Sequence, residues 1–536
     1  MTRSAPLFAA ALAVAAVSPG AAPAFAAAGA DIAAAYARAR IAEAAGDLST
    51  STRAYATALD AAPADVALAL RAYREGVRGG DMALADRAAA ILTARGVAPN
   101  DAGLLAVAKA AQAGDLPAAR TAVAALGTGP MRIFAPSLKA WIAVEARQAD
   151  PLSPLDAPGN DVVARRLARE TRALVLLATG QTAPGLAALR AVLGNDQAAQ
   201  DNRLAAARLL VARGESAAAE TLLTGDAPAI VALRARPEGR DASLAFGTSH
   251  LFARVASDLA LGAPGPMSFA LTRAALRADP RNDRARLLLA SALAKDGALD
   301  AALATLAEIP GDSIHARAAA AGRAQLLAEA DRPVDALAAA RAAAAAPDAT
   351  SSDIRRLADL YLAAGEGAAA VPLYRSLVER AGDAADGTDW LQLGAALDRA
   401  GRWPEARAAL ERAHALSPDD PLVLNYLGYS LVDHGERLAE AQAMLERAAA
   451  RRPDDPAIID SLGWALHRRG QSARALPLLE RAAAASPGDP EVGEHLGDLY
   501  WQAGRRYEAR YAWRAARVEA EGDVAARLDR KIADGL

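Results

Sequence analysis

Asn425-Tyr426-Leu427-Gly428-Tyr429-Ser430, Asp460-Ser461-Leu462-Gly463-Trp464 and His495-Leu496-Gly497-Asp498 set a Leu-Gly pair at one register, and Leu393-Gly394 adds a fourth copy upstream. Successive glycines are 34, 35 and 34 residues apart. Each is followed by an alanine (Ala406, Ala441, Ala475, Ala509), then four residues on by a bulky apolar residue (Leu410, Leu445, Leu479, Trp513). Three copies close on a proline: Pro418, Pro453 and Pro487. A glycine inside a helix costs about 1 kcal/mol relative to alanine, so four at one register point to a packing requirement. The spacing predicts paired helices whose backbones approach closely at small residues, with Gly428 against Ala441. From Gly428 to Ala441 is 13 residues against 12 in the other copies, and the extra residue is expected near His434-Gly435-Glu436-Arg437.

These markers resemble the tetratricopeptide repeat, a 34-residue helix–turn–helix with a Leu-Gly in its first helix, an A-x3-F pattern in its second and a closing proline. The resemblance implies an all-α fold, a right-handed α-solenoid of stacked hairpins. Extending the register backwards gives blocks from about Ser249, Asp283, Arg317, Ser351, Gly387, Pro421, Pro456 and Pro490, a tetratricopeptide array of about eight repeats over 249–523. Residues 27–248 read as degenerate repeats. Gly46-Asp47, Gly80-Asp81 and Gly114-Asp115 recur at 34-residue spacing there, and Asp150-Pro151 to Asn160 is the best candidate break. The polar end of the chain, with 524–536 as the end of a final helix, is suited to capping an apolar array terminus.

A chain of 536 residues is too long for one compact core. Net charge is −3, so no general basic field invites nucleic acid. No apolar run reaches the roughly 18 residues of a spanning helix. At the start, Arg3, the apolar Ala5 to Val17 and then Ala24-Phe25-Ala26 fit a signal peptide over 1–26. Export to the periplasm with cleavage near Ala26 is expected. With no cysteine there is neither a disulfide nor a thiol for a lipid anchor.

The six histidines (250, 315, 414, 434, 467, 495) form no paired metal-ligand spacing. No phosphate-binding glycine loop or nucleophile turn occurs. The reading is therefore not an enzyme, with no catalytic residue, metal or cofactor. Function is expected in the groove, where positions 2, 5, 9 and 12 of each first helix point inward. Those positions, with one neighbour, nominate Asn425, Tyr429, Asp460, Trp464, His467, Arg468, Asp498 and Trp501 as a partner-binding surface. Aromatic anchors beside hydrogen-bonding groups suit a protein or peptide partner. An aromatic at position 9 can equally pack between helices, and both readings of Tyr429 and Trp464 stand at this point.

Residues 421–523, through the three Leu-Gly segments with Tyr500-Trp501, also resemble a family of exported bacterial tetratricopeptide proteins. That family includes the adaptor lipoprotein of a periplasmic carboxyl-terminal processing protease. The resemblance implies a scaffold that recruits an envelope protease or hydrolase. The family's lipid-bearing cysteine has no counterpart here. A factor associated with glycans or another envelope polymer, its groove aromatics stacking on sugar rings, is the alternative.

Overall fold

A computed structural model describes residues 23–194, 196–346 and 349–536, with side chains from residue 31 onward. The signal peptide assigned to 1–26 falls outside the described residues up to position 22. Among the described residues there are 29 α-helices, three short 3₁₀ turns and no strand. The fold is all-α, as the periodicity predicts. It divides into two compact units, the first ending at Ala330 and the second spanning Asp331–Leu536.

Unit two is a stack of helical hairpins. Five pairs follow one another: Ser351–Ala363 with Gly367–Ala381, Gly387–Arg399 with Trp403–Leu416, Pro421–Asp433 with Leu438–Arg451, Pro456–Arg468 with Ser472–Ala485, and Pro490–Gln502 with Arg506–Arg517. Pro333–Ala344 precedes them and Gly522–Asp534 closes the unit. Local chemistry sets each boundary. The three helices beginning at Pro421, Pro456 and Pro490 have proline at a first-turn position, where its missing N–H and fixed φ cost nothing. Asp420, Asp455 and Asp489 cap them by accepting two backbone N–H groups each. The turn inside each pair runs through a left-handed glycine (Gly365, Gly401, Gly435, Gly470, Gly504) with φ of 69° to 79°, a region that L side chains avoid.

The four phased glycines behave as the spacing demands, with one difference. A Cβ at Gly428 would lie 3.2 Å from the Ala441 carbonyl but 2.9 Å from Leu445 Cγ. At Gly394 and Gly463 it would come within 2.6 and 2.8 Å of Leu410 and Leu479. At Gly497 it would run into the indole of Trp513. The space left by each glycine is thus filled mainly by the bulky residue four positions beyond the alanine. Leu410, Leu445, Leu479 and Trp513 are all fully buried. The extra residue of the third pair is absorbed where the sequence placed it: Gly435 and Arg437 both take positive φ. Trp403, stacked on His434 at 4.0 Å, and Arg407 hold this longer turn through Glu436.

Unit one opens with three hairpins whose turns fall at Gly46, Gly80 and Gly114, all left-handed. Asp47, Asp81 and Asp115 cap the helices that follow. Its later helices then pack back on these early ones. Pro266–Ala278 lies against Val66–Gly79 and Ala102–Ala113. Arg277 makes a two-pronged contact with Asp86 at 2.7 and 2.6 Å, and Arg273 donates to the carbonyls of Val77 and Arg78. The sequence boundary at 248/249 marks a change of repeat regularity and lies inside this compact unit. Its buried arginines are matched to carboxylates, Arg240 to Asp279 and Arg254 to Glu170 and Asp258, and the half-buried Arg284 pairs with Asp201. Such pairs fix helix placement and leave little free charge for a ligand.

Candidate functional site: the inner face of unit two

The first helices of consecutive pairs touch one another, Gly387–Arg399 against Pro421–Asp433, then Pro456–Arg468, then Pro490–Gln502. The Tyr429 hydroxyl donates to Glu491, which belongs to the first helix two pairs further on. Side chains meet across an intervening repeat only where the face is concave. Tyr429, at position 9 of its repeat, and Glu491, at position 2, thereby define the inner surface.

His495 stands at the centre of the cluster. Its ring stacks on Trp464 at 4.1 Å with planes 11° apart, and Tyr429 lies tilted 6.2 Å away. His495 Nδ1 is 2.8 Å from Asp460 Oδ2, and both residues are buried. Burial works against the imidazolium, but the Asp460 carboxylate outweighs it and the His495 pKa is raised. His467, also buried, packs 5.2 Å from the Trp464 ring and pairs with Ser472 at 3.1 Å; burial lowers its pKa. Arg468 is exposed, with its guanidinium 5.8 Å from the Trp464 ring centre. Burial, followed by the charge of Glu491, raises the pKa of Tyr429.

Three buried polar atoms of this cluster have no hydrogen-bond partner among the described residues: Asn425 Oδ1, Asp460 Oδ1 and Trp464 Nε1. Buried polar atoms are nearly always satisfied, and leaving one unsatisfied costs about 1–3 kcal/mol. Asn425 and Asp460 line an open cleft of about 520 Å³. Asp398, Asp433, Asp489 and Glu491 also line it, against one guanidinium, Arg399, and the imidazole of His434.

Asp498 and Trp501 lie apart from this cleft, in contact with the last two helices. Asp498 Oδ1 accepts from Trp513 Nε1 at 3.0 Å, and Lys531 Nζ donates to both Asp498 oxygens at 2.8 and 2.6 Å. Burial raises the Asp498 pKa against the pull of Lys531. Trp501 packs at 5.4 Å on Trp513, with Arg506 and Arg510 at 3.9 and 4.9 Å from its ring. The chain's own C-terminal segment therefore engages the groove positions of the last repeat. Five of the eight nominated residues (Asn425, Tyr429, Asp460, Trp464, His467) gather in one cluster, with Arg468 at its rim. The sequence reading omitted His495, Glu491 and Asp433. Glu491 sits at an inward position that the repeat rule specifies, whereas His495, at position 6, is recruited only by the stacking of adjacent helices.

Family models of the tetratricopeptide repeat match residues 270–313, 388–430 and 426–490. Both units thus carry tetratricopeptide repeats, and arrays of these generally act as protein-interaction scaffolds through extended concave surfaces. None of the curated proteins matches the chain. Similar solved structures include a tetratricopeptide repeat protein from Parabacteroides merdae, 14% identical over 45% of this chain and 94% of its own, with a TM-score of 0.39. A thermophilic TPR protein in Thermus thermophilus is 21% identical over 35% and 98%, with a TM-score of 0.31. MamA from Desulfovibrio magneticus is 18% identical over 32% and 97%, with a TM-score of 0.27. Among the described residues no helix is long and apolar enough to cross a membrane.

Proposed function

We propose that this chain is a non-enzymatic scaffold of the bacterial periplasm that holds a segment of a protein partner in the groove of unit two, and that it recruits an envelope protease or hydrolase in this way. The observation that carries the reading is the set of unpartnered buried atoms on the inner face: Asn425 Oδ1, Asp460 Oδ1 and Trp464 Nε1. An extended peptide offers both the N–H donors and the carbonyl acceptor that would complete them. Half-buried Tyr429 and Trp464 add aromatic anchorage. Stacking on sugar needs an open aromatic face, and one face of Trp464 is already taken by His495, which favours a protein partner over a glycan.

The test places a photo-crosslinking residue at Asp433, on the cleft, and separately at Arg514, on a second helix, in the full-length chain in cells. A crosslink to one protein from position 433 and none from 514 is expected. Crosslinks from 514 alone would move the partner off the groove. Export is checked by N-terminal sequencing of the protein from a periplasmic fraction; a start near Ala27 is expected, and a cytosolic protein retaining Met1 would overturn it.

A further inference from the structure

Resting on the groove reading, we infer that the occupant is a cationic segment, with a Lys or Arg side chain seated among Asp433, Asp460 and Glu491. The chain as a whole is close to neutral at −3, yet five carboxylates (Asp398, Asp433, Asp460, Asp489, Glu491) line this one cleft with a single guanidinium, Arg399. The groups answering them are mostly neutral. Asp489 caps its own helix through two backbone N–H groups. Glu491 accepts from the Tyr429 hydroxyl, and Asp398 accepts from Ser430 at 3.0 Å and lies 3.1 Å from His434. His495, behind Asp460, lies 2.8 Å from Oδ2, and Oδ1 has no partner among the described residues. Asp433 is exposed at the rim.

The next stretch of the same inner face shows how such carboxylates are answered. In the last repeat, position 5 is Glu494 and position 9 is Asp498. The helix Gly522–Asp534 meets them with two cations four residues apart on one face. Arg527 forms a fork on Glu494 at 2.7 and 2.8 Å, and Lys531 reaches Glu494 at 2.6 Å as well as Asp498. Asp460 is position 5 of the preceding repeat, and no basic helix among the described residues covers it. A basic segment from a partner would occupy there the role that Arg527 and Lys531 fill one repeat later, with the orphaned Asp460 Oδ1 and Asn425 Oδ1 as acceptors for its N–H groups.

The experiment titrates full-length protein with a fluorescent twelve-residue peptide alternating Arg and Ala, and with the same peptide carrying Gln or Glu in place of Arg. The Arg peptide is expected to bind and the Glu peptide not to. Asp433→Asn with Glu491→Gln should weaken Arg-peptide binding at least tenfold, whereas Asp454→Asn with Glu519→Gln, which removes the same charge from exposed sites outside the cleft, should leave it within twofold. Equal losses from both pairs would mean unspecific attraction and overturn the inference, as would preference for the Gln or Glu peptide. If the crosslink from position 433 persists while the Arg peptide fails to bind, the scaffold reading stands and the charge selectivity falls. Both variant pairs alter side chains outside the hydrophobic core, and circular dichroism melting verifies that they fold.

Discussion

Gly497 has no room for a side chain because the fully buried Trp513 ring lies where its Cβ would be. Alanine there gains about 1 kcal/mol of helix propensity but forces overpacking that costs about 1–3 kcal/mol. Trp513 is pinned by its bond to Asp498, so the packing cost outweighs the propensity gain and Gly497→Ala should lower stability by up to about 2 kcal/mol in urea unfolding. Trp464 packs on His495 at the inner face, and on the proposed reading it also anchors the partner. Trp464→Ala should lower the melting temperature and weaken partner binding about thirtyfold, the equivalent of about 2 kcal/mol. Trp464→Phe should recover most of the melting loss without restoring affinity, because Nε1 is gone; full affinity in the Phe variant would return Trp464 to a packing role alone. The His495–Asp460 pair carries a pH signature. His495 has a raised folded pKa, so its contribution is complete below the unfolded imidazole value of about 6.5 and fades as pH climbs through the folded value. His467, with a lowered pKa, runs oppositely and loses its contribution as pH falls below about 6.5. The difference in urea midpoint between the wild type and Asp460→Asn should therefore be largest near pH 6 and shrink toward alkaline pH; a constant difference would remove the charge from the account.

At the scale of the helix, the C-terminal segment Gly522–Asp534 caps the array with more than polarity. Ala525 and Leu528 bury against Trp513 and Ala516. Arg527 and Lys531 neutralise Glu494 and Asp498, which are otherwise buried carboxylates. For Glu494 burial is the largest influence and pushes its pKa up, but the two cations outweigh it and the net direction is down. Lys531→Met leaves Asp498 with only the Trp513 N–H, and breaking such a pair costs about 3 kcal/mol. The loss should be greatest near neutral pH and diminish as the pH is lowered, since protonating Asp498 removes the unpaired charge. A loss independent of pH would mean that Lys531 acts through its alkyl chain alone.

Over the whole molecule the two units are built differently. Unit two is a sequential stack in which each helix meets its near neighbours, so its stability is a sum of repeat and interface contributions. Unit one ties residues near 80 to residues 277 and 296 through the Arg277–Asp86 and Arg78–Asp296 contacts, and its cooperativity rests on long-range packing. Calorimetry should resolve two transitions, with Gly497→Ala moving only one of them. A single transition moved as a whole would show that the units unfold together.

The sequence alone determined the features that repeat. Phased Leu-Gly pairs, alanines and prolines fixed the hairpins of unit two, Gly435 to Arg437 located the extra turn residue, and the Gly-Asp turns marked three hairpins in unit one. These were legible because close helix approach and positive φ admit few residue types. Position 9 also pointed to Tyr429 and Trp464. Tertiary structure decided the rest. The return of Pro266–Ala278 onto Ala102–Ala113 leaves no local pattern, because the partners lie far apart in sequence. The placing of His495 between Trp464 and Asp460, and the seating of Arg527 and Lys531 on Glu494 and Asp498, depend on how far each helix is rotated against the next. Spacing gives the face a residue occupies; only packing sets which side chains across that face meet, and which carboxylates find a cation.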